Sequence, residues 1–150
     1  MLGSIRHSIR IRRPAADVWA LAGDPTRLHH WFPGIVDCHV EGTRRVITTA
    51  TGMPMPEDIL VNDAFQRRFQ YTLAVPLVTY HRGTIDVIDL GDETCLVTYQ
   101  TDADPRTMAL VIAGGTAGAL RELQRQMEDP AHATKAANAT NATNTGNGAN

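Results

Sequence analysis

The sequence predicts an α+β domain that combines one antiparallel sheet of seven strands with two short helices after the first strand and a long C-terminal helix. Three observations predict it. Between Ile35 and Asp102 one strand-like segment follows another with very short separators, whereas a parallel pair would need a crossover of a dozen or more residues. Near the N-terminus Ile5, Ile9 and Ile11 alternate with Arg6, Ser8, Arg10 and Arg12, the period of a half-buried strand. After Pro105 the apolar positions recur at helical spacing instead.

The first strand therefore runs to about Ile11, with His7 on its apolar face. Pro14 suits a first helical position, Asp17 lies in the positive first turn, and Val18, Trp19, Leu21 and Ala22 supply an apolar side. Asp24-Pro25 repeats a capping side chain followed by proline and opens a second short helix reaching about Trp31, which Phe32-Pro33-Gly34 ends. Six strands follow, at about Ile35 to Glu41, Arg45 to Thr51, Glu57 to Asn62, Gln66 to Leu73, Thr79 to Leu90 and Thr94 to Asp102. In the final helix Ala109, Ala113, Thr116, Ala117, Leu123, Gln124 and Met127 gather around Leu120 on one face. That face is graded: small residues line its first half, and Leu120, Leu123 and Met127 fill its second, so space is expected beside the first half. Gly114 and Gly118 project opposite the stripe and form no membrane-dimer motif.

At 150 residues, with a formal net charge of −2 and two cysteines, the chain is sized for one domain that needs neither disulfides nor metal to hold its core. Cys38 and Cys95 fall in strand-like segments and read as small buried hydrophobes. The charge balance provides no field for a nucleic-acid backbone, so no nucleic-acid partner is expected. Arginines interrupt MLGSIRHSIRIRR, which speaks against a secretory signal, and the apolar run from Met108 to Leu120 is shorter than the roughly 20 residues of a bilayer span. These features point to a cytoplasmic protein without integral membrane association. The expected domain covers residues 1–128; residues 129–150 hold no large apolar side chain and are expected to form a disordered Asn/Ala/Thr-rich tail.

Two stretches carry a family resemblance. IRIRRPAADVWALAGDPTRLHHWFPGIVDC at 9–38 and EDILVNDAFQRRFQYTL at 57–73, together with the terminal helix, resemble the SRPBCC or START-like helix-grip superfamily, and within it the polyketide cyclase/dehydrase and lipid-transport family. The resemblance implies that the sheet curves around the long helix and encloses a deep pocket for a small hydrophobic or amphipathic molecule: a lipid, a quinone or an aromatic polyketide. A homodimer is compatible with it. A dry void costs about 24 cal/mol per Å³, so a pocket of roughly 300 Å³ left empty would cost about 7 kcal/mol, comparable with the whole stability of a domain. Any large pocket must hold ligand or water.

Alternation places Phe69, Tyr71 and Leu73 on the inner face of one strand, His81, Gly83, Ile85 and Val87 on the next, and Val97, Tyr99 and Thr101 on the last. Glu57, Ile59 and Val61 form a fourth inward row if Leu60 does not disturb it. The expected ligand-binding set is Trp31, Glu57, Phe69, Tyr71, His81 and Tyr99 with Ala109, Ala113, Thr116 and Ala117 of the helix. A polyketide aromatase/cyclase or dehydratase is the alternative, with His81 taking a proton alpha to a carbonyl and Tyr71 or Tyr99 binding the enolate oxygen. The same histidine and tyrosines serve equally as hydrogen-bonded core residues. A third reading, a protein-interaction or regulatory partner, uses the outward Arg6, Arg10, Arg12, Arg13 and Arg68. Adjacent His29 and His30 diverge on a helix, no metal site is expected, and no H-E-x-x-H, C-x-x-C, phosphate-cradling glycine loop or G-x-S-x-G motif calls for a cofactor or a hydrolytic nucleophile.

Overall fold

The computed structural model describes residues 1–131. The expected tail beyond Ala131 lies outside the described residues. Strand β1 (Gly3–Ile11) leads into α1 (Ala15–Ala22), a single 3-10 turn (Pro25–Arg27) and α2 (Leu28–Trp31). Strands β2 (Ile35–Glu41), β3 (Arg44–Thr49), β4 (Pro54–Asp63), β5 (Arg68–Leu73), β6 (Tyr80–Asp89) and β7 (Cys95–Asp104) follow, and α3 (Arg106–Glu128) closes the fold. Every neighbouring pair is antiparallel, and the sheet order is β1-β7-β6-β5-β4-β3-β2. The six-strand meander thus closes back on the first strand, and the short helices bridge its two edges.

Local chemistry accounts for the elements. The Asp24 carboxylate accepts the Thr26 N–H at 2.9 Å, which fixes the turn that Pro25 begins. That segment is one 3-10 turn followed by a four-residue helix rather than the single helix expected. Strand β4 starts earlier than expected, at Pro54, and carries a bulge between Ile59 and Val61. The extra residue reverses the pleat. Glu57 and Ile59 stay paired with the inner residues Leu73 and Tyr71, while Val61 pairs with outward Gln70 and Leu60 stands exposed, so the expected inward row ends at Ile59.

The helix α3 seats against β1 and β7. Ala109, Ala113, Thr116, Ala119, Leu120, Leu123 and Met127 are its buried residues, whereas Ala117 is only half-buried. A Cβ on Gly3 would meet the Ala109 Cβ at 2.7 Å, so glycine in β1 and alanine in α3 let the two backbones approach closely. The small residues therefore permit tight seating; the space expected beside the first half of the helix lies around another of its faces. Gln124 donates to the Arg10 carbonyl, Gln126 donates to the His30 carbonyl, and Glu128 accepts from both Arg12 N–H and guanidinium, tying the second half of the rod to β1 and α2.

Candidate functional site

The inner rows of β5, β6 and β7 are buried as alternation requires, with Phe69, Tyr71 and Leu73, His81, Ile85 and Val87, and Val97, Tyr99 and Thr101 all excluded from solvent. Where α3 leans toward β1 and β7, the other half of the curved sheet stands away from it and leaves a cavity of about 310 Å³. Its floor is Ile47, Met55, Glu57, Tyr71, Leu73 and Tyr99 of the sheet; Leu28, Phe32 and Ile35 close one side, and Val75, Leu77 and Val78 of the β5–β6 loop close another. The helix contributes Met108, Val111, Ile112 and Gly115, a row set about a third of a turn around the axis from the buried stripe. Leu77 and Val111 are 63% and 68% exposed and mark the rim.

Glu57, Tyr71 and Tyr99 are the three expected site residues that the structure brings to the cavity wall. Trp31, Phe69, His81, Ala109, Ala113, Thr116 and Ala117 do not line it. Trp31 is a buried anchor whose ring lies 6.3 Å from that of Tyr99, while its neighbour Phe32 reaches the cavity. The four helix residues belong to the stripe that rests on the sheet or beside it. His7 is half-buried opposite Tyr99 in the β1–β7 register and also stays outside the cavity.

His81 differs most from its expected role. Its Nδ1 accepts the Leu73 backbone N–H at 3.1 Å, and its Nε2 is buried without a partner. This fixes the neutral imidazole with its proton on Nε2. Burial lowers its pKa to about 4, against a small opposing pull from Asp102. His81 thus has one nitrogen already occupied and does not line the cavity.

The charged group that sequence reasoning did not single out is Arg45. It is inward on β3, directly across from Glu57 of β4, and its Nε donates to Glu57 Oε2 at 2.6 Å, with both residues only 2% exposed. The Arg45 guanidinium carbon also stands 5.0 Å from the Phe69 ring centroid and 5.1 Å from that of Tyr71, a cation held against two aromatic rings. Its Nη2 is buried without a partner. Burial opposes the Arg45 charge, but Glu57 and the nearby phenols outweigh it and raise its pKa. Burial pushes the Glu57 carboxyl above its ordinary value, with Arg45 pulling the other way. The available sequence signal was pairing: once Glu57 faces inward, its antiparallel partner on β3 must share that face.

The two phenols meet oxygen to oxygen at 2.7 Å. Burial raises the pKa of both, most strongly for Tyr71, so both are neutral donors near pH 7. Tyr71 reaches this position because its partner on β6 is Gly83: a Cβ there would lie 2.3 Å from the Tyr71 ring. The cavity thus combines apolar walls with a small polar end made of a carboxylate and a phenol pair. Among the described residues no cluster of three or more His, Cys, Asp or Glu side chains is arranged to hold a metal, and no helix is long and apolar enough to cross a membrane. The outward arginines are largely paired with acids: Arg10 with Asp92, Arg12 with Glu128, Arg13 with Asp17 and Arg68 with Asp86.

Comparison with known proteins agrees with this architecture. The family model described as polyketide cyclase/dehydrase and lipid transport matches residues 3–131. Among solved structures, the protein XoxI from Bacillus cereus superposes with a TM-score of 0.80 at 24% identity, over 87% of this chain and 99% of its own. Norcoclaurine synthase from Thalictrum flavum, in complex with dopamine and hydroxybenzaldehyde, gives 0.66 at 20% identity over 83% and 86% of the two chains. A START superfamily protein from Mycobacterium smegmatis gives 0.68 at 15% identity over 83% and 97%. A search of the curated proteins finds no match.

Proposed function

The chain belongs to the polyketide cyclase/dehydrase and lipid-transport family, and from that premise we propose that it binds a small hydrophobic or amphipathic molecule of the lipid, quinone or aromatic polyketide class between the sheet and α3. The observation that carries this reading is the cavity itself: about 310 Å³, walled by Leu, Ile, Val, Met and Phe side chains, with Glu57 and the Tyr71–Tyr99 pair at one end. Apolar walls supply affinity through the area they remove from water, and the few polar groups orient the guest. Native mass spectrometry of gently purified protein, with thermal shifts against fatty acids, quinones and aromatic polyketides, tests it. A co-purified compound or saturable stabilisation by one class is expected; neither appearing overturns the reading.

A second reading, an aromatase/cyclase or dehydratase, draws support from Glu57 and the phenols sharing one cavity. A carboxylate there takes the proton alpha to a ketone while a neutral phenol donates to the enolate oxygen. The expected use of His81 as the base has less support, because its Nδ1 is taken by the Leu73 N–H and the residue is not among those lining the cavity. Turnover of a reactive polyketone that falls in Glu57→Gln and persists in His81→Gln supports this assignment; equal turnover in wild type and Glu57→Gln removes it.

A further inference from the structure

We infer that the polar end of the cavity selects a neutral head group able both to accept and to donate a hydrogen bond, a hydroxyl on an apolar body, and turns carboxylates away. The inference rests on the proposed binding reading and adds the rule by which one guest is preferred to another. It follows from counting protons and lone pairs at four side chains. Tyr71 and Tyr99 share one hydrogen bond, so one of their two protons lies between them and the other has no acceptor among the described residues. Glu57 gives one oxygen, Oε2, to Arg45 Nε, while its other oxygen accepts nothing among the described residues. Glu57, Tyr71 and Tyr99 line the cavity; Arg45 does not, and stands behind Glu57 against the two aromatic rings.

Arg45 Nη2 is a further donor without a partner, but Arg45 is not among the lining residues. The lining side chains therefore offer one free donor and one free acceptor, and the carboxylate of the ion pair, not its guanidinium, is presented to a guest. A hydroxyl satisfies both, taking the phenol proton and giving its own to Glu57. An ether or ketone satisfies the donor alone and leaves the Glu57 oxygen desolvated and unpaired, which is unfavourable. A carboxylate has no proton to give, so it leaves the free Glu57 oxygen unpaired, and it meets the anionic side of the Arg45–Glu57 pair while the compensating guanidinium stays off the lining. Arg45 holds the Glu57 carboxylate in position and is a positioning residue.

Calorimetric titration with four probes on one naphthalene body tests this at pH 7: 2-naphthol, 2-methoxynaphthalene, 2-methylnaphthalene and 2-naphthoate. The inference predicts that 2-naphthol binds at least tenfold tighter than each of the other three. In Arg45→Met/Glu57→Leu, which removes both charges and keeps an apolar filling, the advantage of 2-naphthol over 2-methoxynaphthalene falls below threefold while 2-methylnaphthalene still binds. Tyr99→Phe, a smaller change, lowers 2-naphthol affinity without lowering that of 2-methylnaphthalene, and serves if the double variant does not fold. Four equal affinities, a preference for 2-naphthoate, or a 2-naphthol advantage that survives both substitutions overturns the head-group rule and leaves the binding reading standing. Saturable binding of none of the four removes the binding reading and the rule together.

Discussion

Arg45 and Glu57 occupy a position where removing one side chain and removing both have opposite expectations. Truncating Arg45 to methionine leaves an uncompensated buried carboxylate, and Arg45→Met alone is expected to lose about 3–5 kcal/mol in urea unfolding. Arg45→Met/Glu57→Leu is expected to lose no more than about 1 kcal/mol, because well-packed apolar residues replace a buried ion pair at little net cost. Glu57 was readable as inward from its strand's alternation; Arg45 was not, since an arginine at the start of a strand looks like a solvated edge until the β3–β4 register sets it opposite Glu57. His81 shows the same limit. Its inward direction follows from period two, but the Leu73 N–H that fixes its tautomer comes from the end of the neighbouring strand. The folded protein holds this imidazole neutral down to about pH 4, whereas the unfolded chain takes up a proton near pH 6.5. The unfolded state then binds more protons between those values, so stability is full above pH 6.5 and falls as the pH drops toward 4. The loss is on the order of 2 kcal/mol, allowing for partial screening. His81→Gln, whose side-chain oxygen can still accept the Leu73 N–H, is expected to flatten that part of the stability–pH curve measured by denaturant titration.

At the level of elements, α3 uses two faces for two purposes. The stripe around Leu120 packs on β1 and β7, and the row Met108, Val111, Ile112 and Gly115 faces the cavity. The grading of small to large residues was legible in the sequence, as was the location of free space along the rod's first half. The face that borders that space was not, because small side chains let α3 press close to Gly3 and so tip the opening to the neighbouring row. A substitution on each face separates the two functions. Ile112→Trp fills the cavity and is expected to abolish saturable ligand binding while changing the melting temperature by only a few degrees. Ala113→Leu drives a larger side chain into the seated face and is expected to cost about 1–3 kcal/mol by overpacking, seen as a lower melting temperature. The bulge in β4 was signalled only by Leu60, an apolar residue interrupting an alternating row. Alternation alone does not reveal where a pleat reverses, since the extra residue is defined by the partner strand.

For the molecule as a whole, the element order was readable because each connection is short and each period is clear, and the antiparallel meander then leaves few topologies open. The cavity is a property of the assembled sheet: α3 rests on β1 and β7, while residues of β3, β4 and β5 wall the space beyond them. Left dry, about 310 Å³ of void would cost roughly 7 kcal/mol, a large share of the stability of a domain this size, so this space is expected to hold water or a guest. The central claim is that the guest is a small amphipathic molecule seated between sheet and helix. Methyl NMR during titration with 2-naphthol tests it most directly. The account predicts saturable shifts at Ile47, Met55, Met108 and Ile112, with the packed methyls of Ile11, Leu123 and Met127 unmoved. Shifts that fail to saturate, or that fall on surface methyls and leave the cavity row unchanged, would contradict it.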